Sequence, residues 1–237
     1  MKAYLHFIVL IFPTTFSWTQ DFISKKSTLL HVGYGLVVPE GKLPFNYGGV
    51  PSIALNYYMS KGYFTGLDLN YMFGASVQTD VLENLRSPEG HIYGNNQAIA
   101  DIQLGWRGWY SGISFGKSIQ QKGFTFLLGM GWTQYQYRIQ EDPQSYVPQI
   151  VAPYLSGYDQ LSTGWALKPG IGYQHLDGNN NLNFKIGISV LLAFTSLKNN
   201  FQLAPADFSK QSPHSFISFD LSWILPFYSF NPDTISY

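Results

Sequence analysis

The sequence predicts an all-β chain: eight antiparallel strands closed into a transmembrane β-barrel, with long loops at one end and short turns at the other. Three observations predict it. Eight runs alternate apolar residues with small or polar ones at period two. The breaks between the runs alternate long, short, long, short, long, short, long. The apolar faces also carry more Trp, Phe, Tyr and Leu than the lumen of an eight-stranded barrel can hold, since that lumen is only just wide enough to be filled by side chains. The apolar face must therefore meet lipid.

Composition narrows the function classes. Only 12% of the 237 residues are charged, about half of the roughly 25% usual in soluble domains. Aromatics reach 17% and there are 23 Gly, a mixture suited to a sheet with one greasy face and one tightly packed face. The formal net charge of +0 lacks the basic footprint that nucleic acid demands, so no nucleic-acid partner is expected. The absence of cysteine excludes disulfides, thiolate metal centres and cysteine catalysis, together with a lipoprotein anchor, which needs an N-terminal Cys. No stretch reaches the ~18 consecutive apolar residues of a helical span.

Residues 1–19 read as a secretory signal peptide. Lys2 supplies the charged start, Ala3 to Phe12 the apolar stretch and Pro13 its end, with Ser17 and Thr19 small enough for cleavage. The apolar stretch is too short to cross a hydrocarbon core of about 30 Å. Residues 20–237 then form the barrel domain.

The runs follow in order. The first sets Leu30, Val32, Tyr34 and Leu36 against His31, Gly33 and Gly35. The second sets Ile53, Leu55, Tyr57 and Met59 against Ala54, Asn56 and Tyr58, and Lys61-Gly62 makes a tight turn to the third, Leu67, Leu69, Tyr71 and Phe73 against Asp68, Asn70 and Met72. A long break to about Ala100 includes a short helix expected over Thr79 to Arg86. In the fourth run Ile102, Leu104 and Trp106 share one parity and Trp109, Ile113 and Phe115 the other, so a bulge is expected at Arg107-Gly108. The fifth runs from Phe124 through Trp132. The sixth sets Trp165, Leu167, Ile171 and Tyr173 against Gly164, Ala166, Lys168 and Gly170, and Pro169 within it removes a ladder donor. The seventh, Leu182 to Thr195, is the most regular, and the eighth carries Phe219, Leu221, Trp223 and Leu225 outward. External loops are expected at about 39–50, 75–101, 139–161 and 196–214, turns near 61–62, 119–123 and 177–181, and both termini in the periplasm of an outer-membrane protein.

Charge placement agrees with lipid outside. Lys117 has the apolar parity but lies beside a short turn, where it can snorkel. His31, Asp68, Lys168, Lys185 and Asp220 all take the lumen parity. Buried charges need partners, so these five are expected to form an internal ion-pair and hydrogen-bond network. Trp109, Trp132, Trp165 and Trp223 near the run ends are placed at the membrane interfaces.

The eight runs, the signal and an aromatic last strand, Ser215 to Tyr228, resemble the small outer-membrane barrels. Ala100-Asp101-Ile102-Gln103-Leu104, Gly108-Trp109-Tyr110-Ser111-Gly112, Gln140-Glu141-Asp142-Pro143 and Gly157-Tyr158-Asp159-Gln160-Leu161 resemble barrels of the Bacteroidetes type across the mature chain. The resemblance implies service in protein export or surface assembly, which some such barrels perform in type IX secretion. The tail from Asn231 to Tyr237 departs from the usual aromatic closure of the last strand.

Four chemistries compete. A lipid-modifying hydrolase would use His214 with Ser212 or Ser215, while His175 lies by a periplasmic turn, on the wrong leaflet for lipid A. A calcium site would draw on Asp80, Glu83, Glu89, His91, Glu141 and Asp142, but their spacing matches no known loop pattern. A pore is opposed by the filled lumen. Long aromatic loops, such as Phe45-Asn46-Tyr47 and Tyr146-Val147-Pro148, favour a binding platform. The expected function is a non-enzymatic scaffold or binding component without cofactor or metal. Its expected partners are membrane lipid, lipopolysaccharide and other envelope proteins, and the hydrolase is the alternative.

Overall fold

A computed structural model describes residues 27–40, 43–119, 123–142, 146–151, 155, 158–159, 161–176, 183–197 and 213–227. The expected signal peptide, the 177–181 turn, most of the 196–214 loop, Ser212 and the C-terminal tail lie outside the described residues. Eight strands form one closed barrel: β1 (Ser27–Glu40), β2 (Gly48–Tyr58), β3 (Tyr63–Gly74), β4 (Ile102–Ile119), β5 (Phe124–Glu141), β6 (Ser162–His175), β7 (Phe184–Leu197) and β8 (Pro213–Phe227). Each strand pairs antiparallel with its chain neighbours, and β1 closes on β8 from Thr28↔Phe227 to Glu40↔Ser215. Closure leaves no free sheet edge, because each strand pairs its backbone with a neighbour on both sides.

Local chemistry sets the short turns. Lys61 (φ 67°) and Gly62 (φ 79°) take left-handed backbone in the β2–β3 turn, closed by Met59 N–H donating to Tyr63 O at 2.7 Å. Gly123 (φ 69°) does the same before β5. These turns share one end of the barrel. The breaks after β1, β3 and β5 are long and share the other.

The alternation settles which way each side chain points. Leu67, Met130, Ile186 and Leu221 are each half or more exposed on the outer wall. A continuous apolar wall of this kind is the surface of a transmembrane barrel. No helix among the described residues is long and apolar enough to cross a membrane.

Two expectations are corrected. The bulge at Arg107-Gly108 is absent: β4 keeps one register from Tyr63↔Lys117 to Gly74↔Trp106 on β3 and from Ile102↔Glu141 to Ile119↔Phe124 on β5. Ile102, Leu104 and Trp106 point into the lumen, and Trp106 is fully buried there. The parity switch is a change in what fills the lumen, not in the strand's direction. The helix expected over 79–86 is only a 3-10 turn at Glu83–Leu85, because Asp80 turns back on itself, accepting from Leu82 N–H (2.9 Å) and pairing with Arg86. Pro169 does sit within β6, opposite Leu128 of β5. The β6–β7 pairing stops at Leu167↔Leu192 and resumes at Gly170↔Ser189.

The lumen is layered. At the short-turn end Leu29, Tyr58, Phe64 and Ile224 form an apolar plug, with Tyr58 and Phe64 rings 5.0 Å apart and Tyr58 Oη donating to Gln174 Oε1 (2.9 Å). The polar layer follows. At the long-loop end a larger apolar core joins wall residues Val37, Val50, Trp106, Tyr135 and Phe216 to loop residues Leu43, Phe45, Val81, Leu82, Ile92, Val147 and Ile150.

Candidate functional site

The polar layer is built from alternate positions on neighbouring strands. His31, Ala54, Asp68 and Gly112 lie on one rung across β1 to β4. Lys168 reaches across from β6, and its Nζ lies 2.7 Å from Asp68 Oδ2 and 5.4 Å from the centre of the Tyr110 ring. With its amide oxygen toward Lys168 Nζ (2.6 Å) and its nitrogen toward Asp68 Oδ1 (2.9 Å), Asn70 completes the cluster. Small neighbours make room for it: a Cβ at Gly129 would meet the Tyr110 hydroxyl at 2.7 Å and Lys168 Cβ at 3.1 Å. Ser189 and Ser218 hydroxyls bond at 2.8 Å on the opposite wall.

All five sequence-predicted lumen residues, His31, Asp68, Lys168, Lys185 and Asp220, line one cavity of about 40 Å³, a volume on the scale of a few water molecules. Of these five, only Lys168 and Asp68 form a direct ion pair among the described residues. Lys185 and Asp220 face the cavity without pairing within 4 Å among the described residues, and neither ring nitrogen of the buried His31 has a hydrogen-bond partner there. The arrangement neutralises one buried lysine and holds polar groups around a small enclosed space. Apolar layers above and below seal it from both ends.

The second candidate is the long-loop end, whose loops lock to one another and to the barrel. Phe45 stacks on Trp106 (centroids 5.2 Å, 15°) and meets Tyr137 edge-on (5.1 Å), while Trp106 Nε1 donates to Asn46 O (3.0 Å). Gln78 N–H donates to Pro44 O (2.6 Å), joining the first loop to the second. Asn95 N–H donates to Tyr146 O (2.8 Å), joining the second to the third, and Tyr137 N–H donates to Asp159 O (2.9 Å), joining the third to β5. The Tyr137 ring belongs to the same buried core. Each of three loops pairs a buried anchor with an exposed tyrosine: Phe45 with Tyr47 (73% exposed), Ile92 with Tyr93 (46%) and Val147 with Tyr146 (55%).

No protein-family model matches the chain, and no curated protein does. Solved structures similar to it include Ail, the attachment invasion locus protein of Yersinia pestis, in complex with the heparin analogue sucrose octasulfate (11% identity, TM-score 0.44, covering 85% of this chain and 99% of that one). The outer membrane protein OprG from Pseudomonas aeruginosa is similar at 10% identity and a TM-score of 0.44, covering 86% of this chain and 99% of that one. Neisserial surface protein A is similar at 11% identity and a TM-score of 0.38, covering 83% and 96%.

The competing site residues fall apart. His214 takes the lumen side, where its Nδ1 bonds Tyr135 Oη, which also lies 2.6 Å from Thr195 Oγ1. Ser215 takes the outer side and donates to Glu40 Oε2 at 2.9 Å. Their side chains leave opposite faces of β8, so no nucleophile–base pair forms between them. His175 stacks near Phe184 (5.3 Å) at the short-turn end. Among the loop acids, Asp80 is engaged by Arg86 and Leu82 N–H, and Glu141 accepts from Val147 N–H. No three acids or histidines gather into a metal-holding group among the described residues. What sequence reasoning missed is the apolar core shared by loops and lumen. Its signal was present: apolar pairs such as Val81-Leu82 recur inside otherwise polar breaks.

Proposed function

We propose that the chain is a non-enzymatic integral outer-membrane barrel, with long loops outside and both termini in the periplasm, acting as a binding or scaffolding component for an envelope protein. The single observation that carries this is the anchor-and-tyrosine pattern. Three loops are each fastened by a buried apolar residue and each present a tyrosine beside it. Tyrosine offers a large, rigid contact at low entropic cost and is enriched where proteins bind partners. A loop already ordered by its anchor has little left to lose on binding. The long-loop, short-turn asymmetry supports the orientation. A lumen plugged at both ends favours a platform over a channel. Protein export or surface assembly is the role we assign it, on the resemblance to Bacteroidetes-type barrels and because such machinery needs rigid membrane-anchored docking points.

The test is a triple variant, Tyr47→Ala with Tyr93→Ala and Tyr146→Ala, assayed by cross-linking to envelope proteins in cells and by the surface delivery of exported cargo. The expected outcome is a barrel that assembles normally and loses its cross-linked partner by tenfold or more, at about 1–2 kcal/mol per interface tyrosine. His214→Ala is expected to leave delivery unchanged. Normal delivery by the triple variant, or its loss in His214→Ala with normal assembly, overturns the reading.

A further inference from the structure

The outward face of the β4–β5 ribbon changes character in steps. Starting in the apolar band, the facing pairs are Ile113↔Met130, Ser111↔Trp132, Trp109↔Gln134, Arg107↔Gln136, Gly105↔Arg138 and Gln103↔Gln140. Greasy rungs give way to tryptophan rungs, and these to arginine rungs. Trp165 on β6 pairs with Trp132, their rings meeting edge-on at 5.6 Å, and Trp132 Nε1 donates to Thr163 Oγ1 at 2.7 Å. Three tryptophans on adjacent strands, on two successive same-face rungs, therefore form a belt at the long-loop end. Indole rings settle at the boundary between hydrocarbon and headgroups.

Arg107 lies two residues beyond Trp109 on the same face, about 6.6 Å along the strand. Arg138 is its diagonal neighbour on β5, and diagonal residues on one face stand roughly 7–8 Å apart. Both are exposed, and neither forms an ion pair within 4 Å among the described residues. Among the described residues no other cation faces outward from the strands at this end. Lys117 faces outward at the other end, over the Tyr63 ring. Acids lie close by but higher or to one side: Asp101 and Asp142 at the ribbon tip, joined by Asp142 N–H to Asp101 O (3.1 Å), and Asp159 as the acidic neighbour of Arg107. An anion approaching the ribbon is repelled from the tip and drawn to the arginine rungs.

The geometry points to a lipid-headgroup site: Arg107 and Arg138, flanked by Gln134 and Gln136 and floored by Trp109 and Trp132, grip the phosphate of a phosphorylated lipid in the adjoining leaflet. Two guanidinium forks at this spacing can each offer paired N–H donors to one phosphate, which a lysine cannot match. The acyl chains of the same lipid then lie along Ile113 and Met130 below. The inference rests on the membrane-barrel reading and commits to the lipid rather than free phosphate, because the arginines adjoin an apolar wall that only an acyl-bearing ligand covers.

The test uses the full chain in mild detergent and native mass spectrometry, with three probes: bisphosphorylated lipid A, the same lipid with both phosphates removed, and inorganic phosphate. The parent is expected to retain the bisphosphorylated lipid in preference to the dephosphorylated one. Arg107→Gln and Arg138→Gln should each cut that preference about tenfold, and together abolish it. Lys117→Gln should leave it intact. The inference is overturned if the parent shows no preference, if the double variant keeps it, or if inorganic phosphate displaces the lipid at equal concentration. Heat-modifiable gel mobility is read on the same samples. A folded barrel without phosphate preference defeats the arginine site alone, whereas a chain that never acquires folded mobility defeats the membrane-barrel reading beneath it.

Discussion

Lys168 shows how a single residue is held in this lumen. A lone ammonium in a sealed layer is costly, and Asp68 at 2.7 Å with Asn70 beside it offsets that cost. Lys168→Met alone leaves a buried carboxylate unpaired and is expected to destabilise the barrel by about 3–5 kcal/mol, whereas Lys168→Met with Asp68→Leu should recover most of the loss. Urea unfolding from lipid vesicles measures both. In the third loop, Asp159 has its carboxyl raised above the ordinary range, chiefly by burial and against the opposing pull of Arg107. A carboxyl raised in the folded state favours folding while it is protonated. Its contribution is full below its unfolded range and is lost as pH rises through the folded value. Asp159→Asn should therefore flatten the fall in the loop's protease resistance as pH rises just above the ordinary carboxylate range. An unchanged pH slope in that variant would exclude Asp159 as the titrating group.

At the scale of elements, the loops behave as part of the barrel's interior. Phe45 leaves a Pro- and Gly-rich break to stack on Trp106 of β4, and Gly74 is bare where the Trp106 indole lies. Phe45→Ala should cost about 3–5 kcal/mol, the range for deleting a buried aromatic. Because the first two loops are joined through Gln78 and Pro44, the loss should appear as faster amide exchange across 43–47 and 75–82 together, with the membrane strands unaffected. The same packing explains β4. Its parity switch looks like a bulge in one dimension, because period-two reading equates a run of apolar residues with the lipid side. The paired register on both neighbours shows one uninterrupted strand that leaves the polar layer and enters an apolar one. Eight strand positions were legible from alternation, since each strand buries and exposes every second residue. The 3-10 turn at Glu83–Leu85 was not, since one side-chain bond from Asp80 competes there with helical hydrogen bonding.

For the whole molecule, the apolar outer wall is the governing fact. Ile188 lies on β7 with its side chain outward, opposite Phe219 and Ile171. Ile188→Asp places a charge in the middle of that wall and is expected to cost about 2 kcal/mol or more, seen as reduced folding yield into vesicles. Equal folding of parent and variant would contradict a lipid-facing wall. The intact protein should fractionate with the outer membrane and run faster on gels before boiling than after.

Period-two alternation and the long–short order of the breaks were enough to determine an eight-stranded barrel and the facing of nearly every strand residue, because in a closed sheet parity alone assigns each side chain to lipid or lumen. The same parity placed His31, Asp68, Lys168, Lys185 and Asp220 inside together. Tertiary structure decided which of them meet: a pair such as Asp68 and Lys168, a hundred residues apart, depends on strand stagger around the barrel, which no local pattern encodes. It also decided that loops and upper lumen share one core. Contacts among Phe45, Trp106 and Val147 join segments distant in the chain, and only the closed barrel brings them within reach.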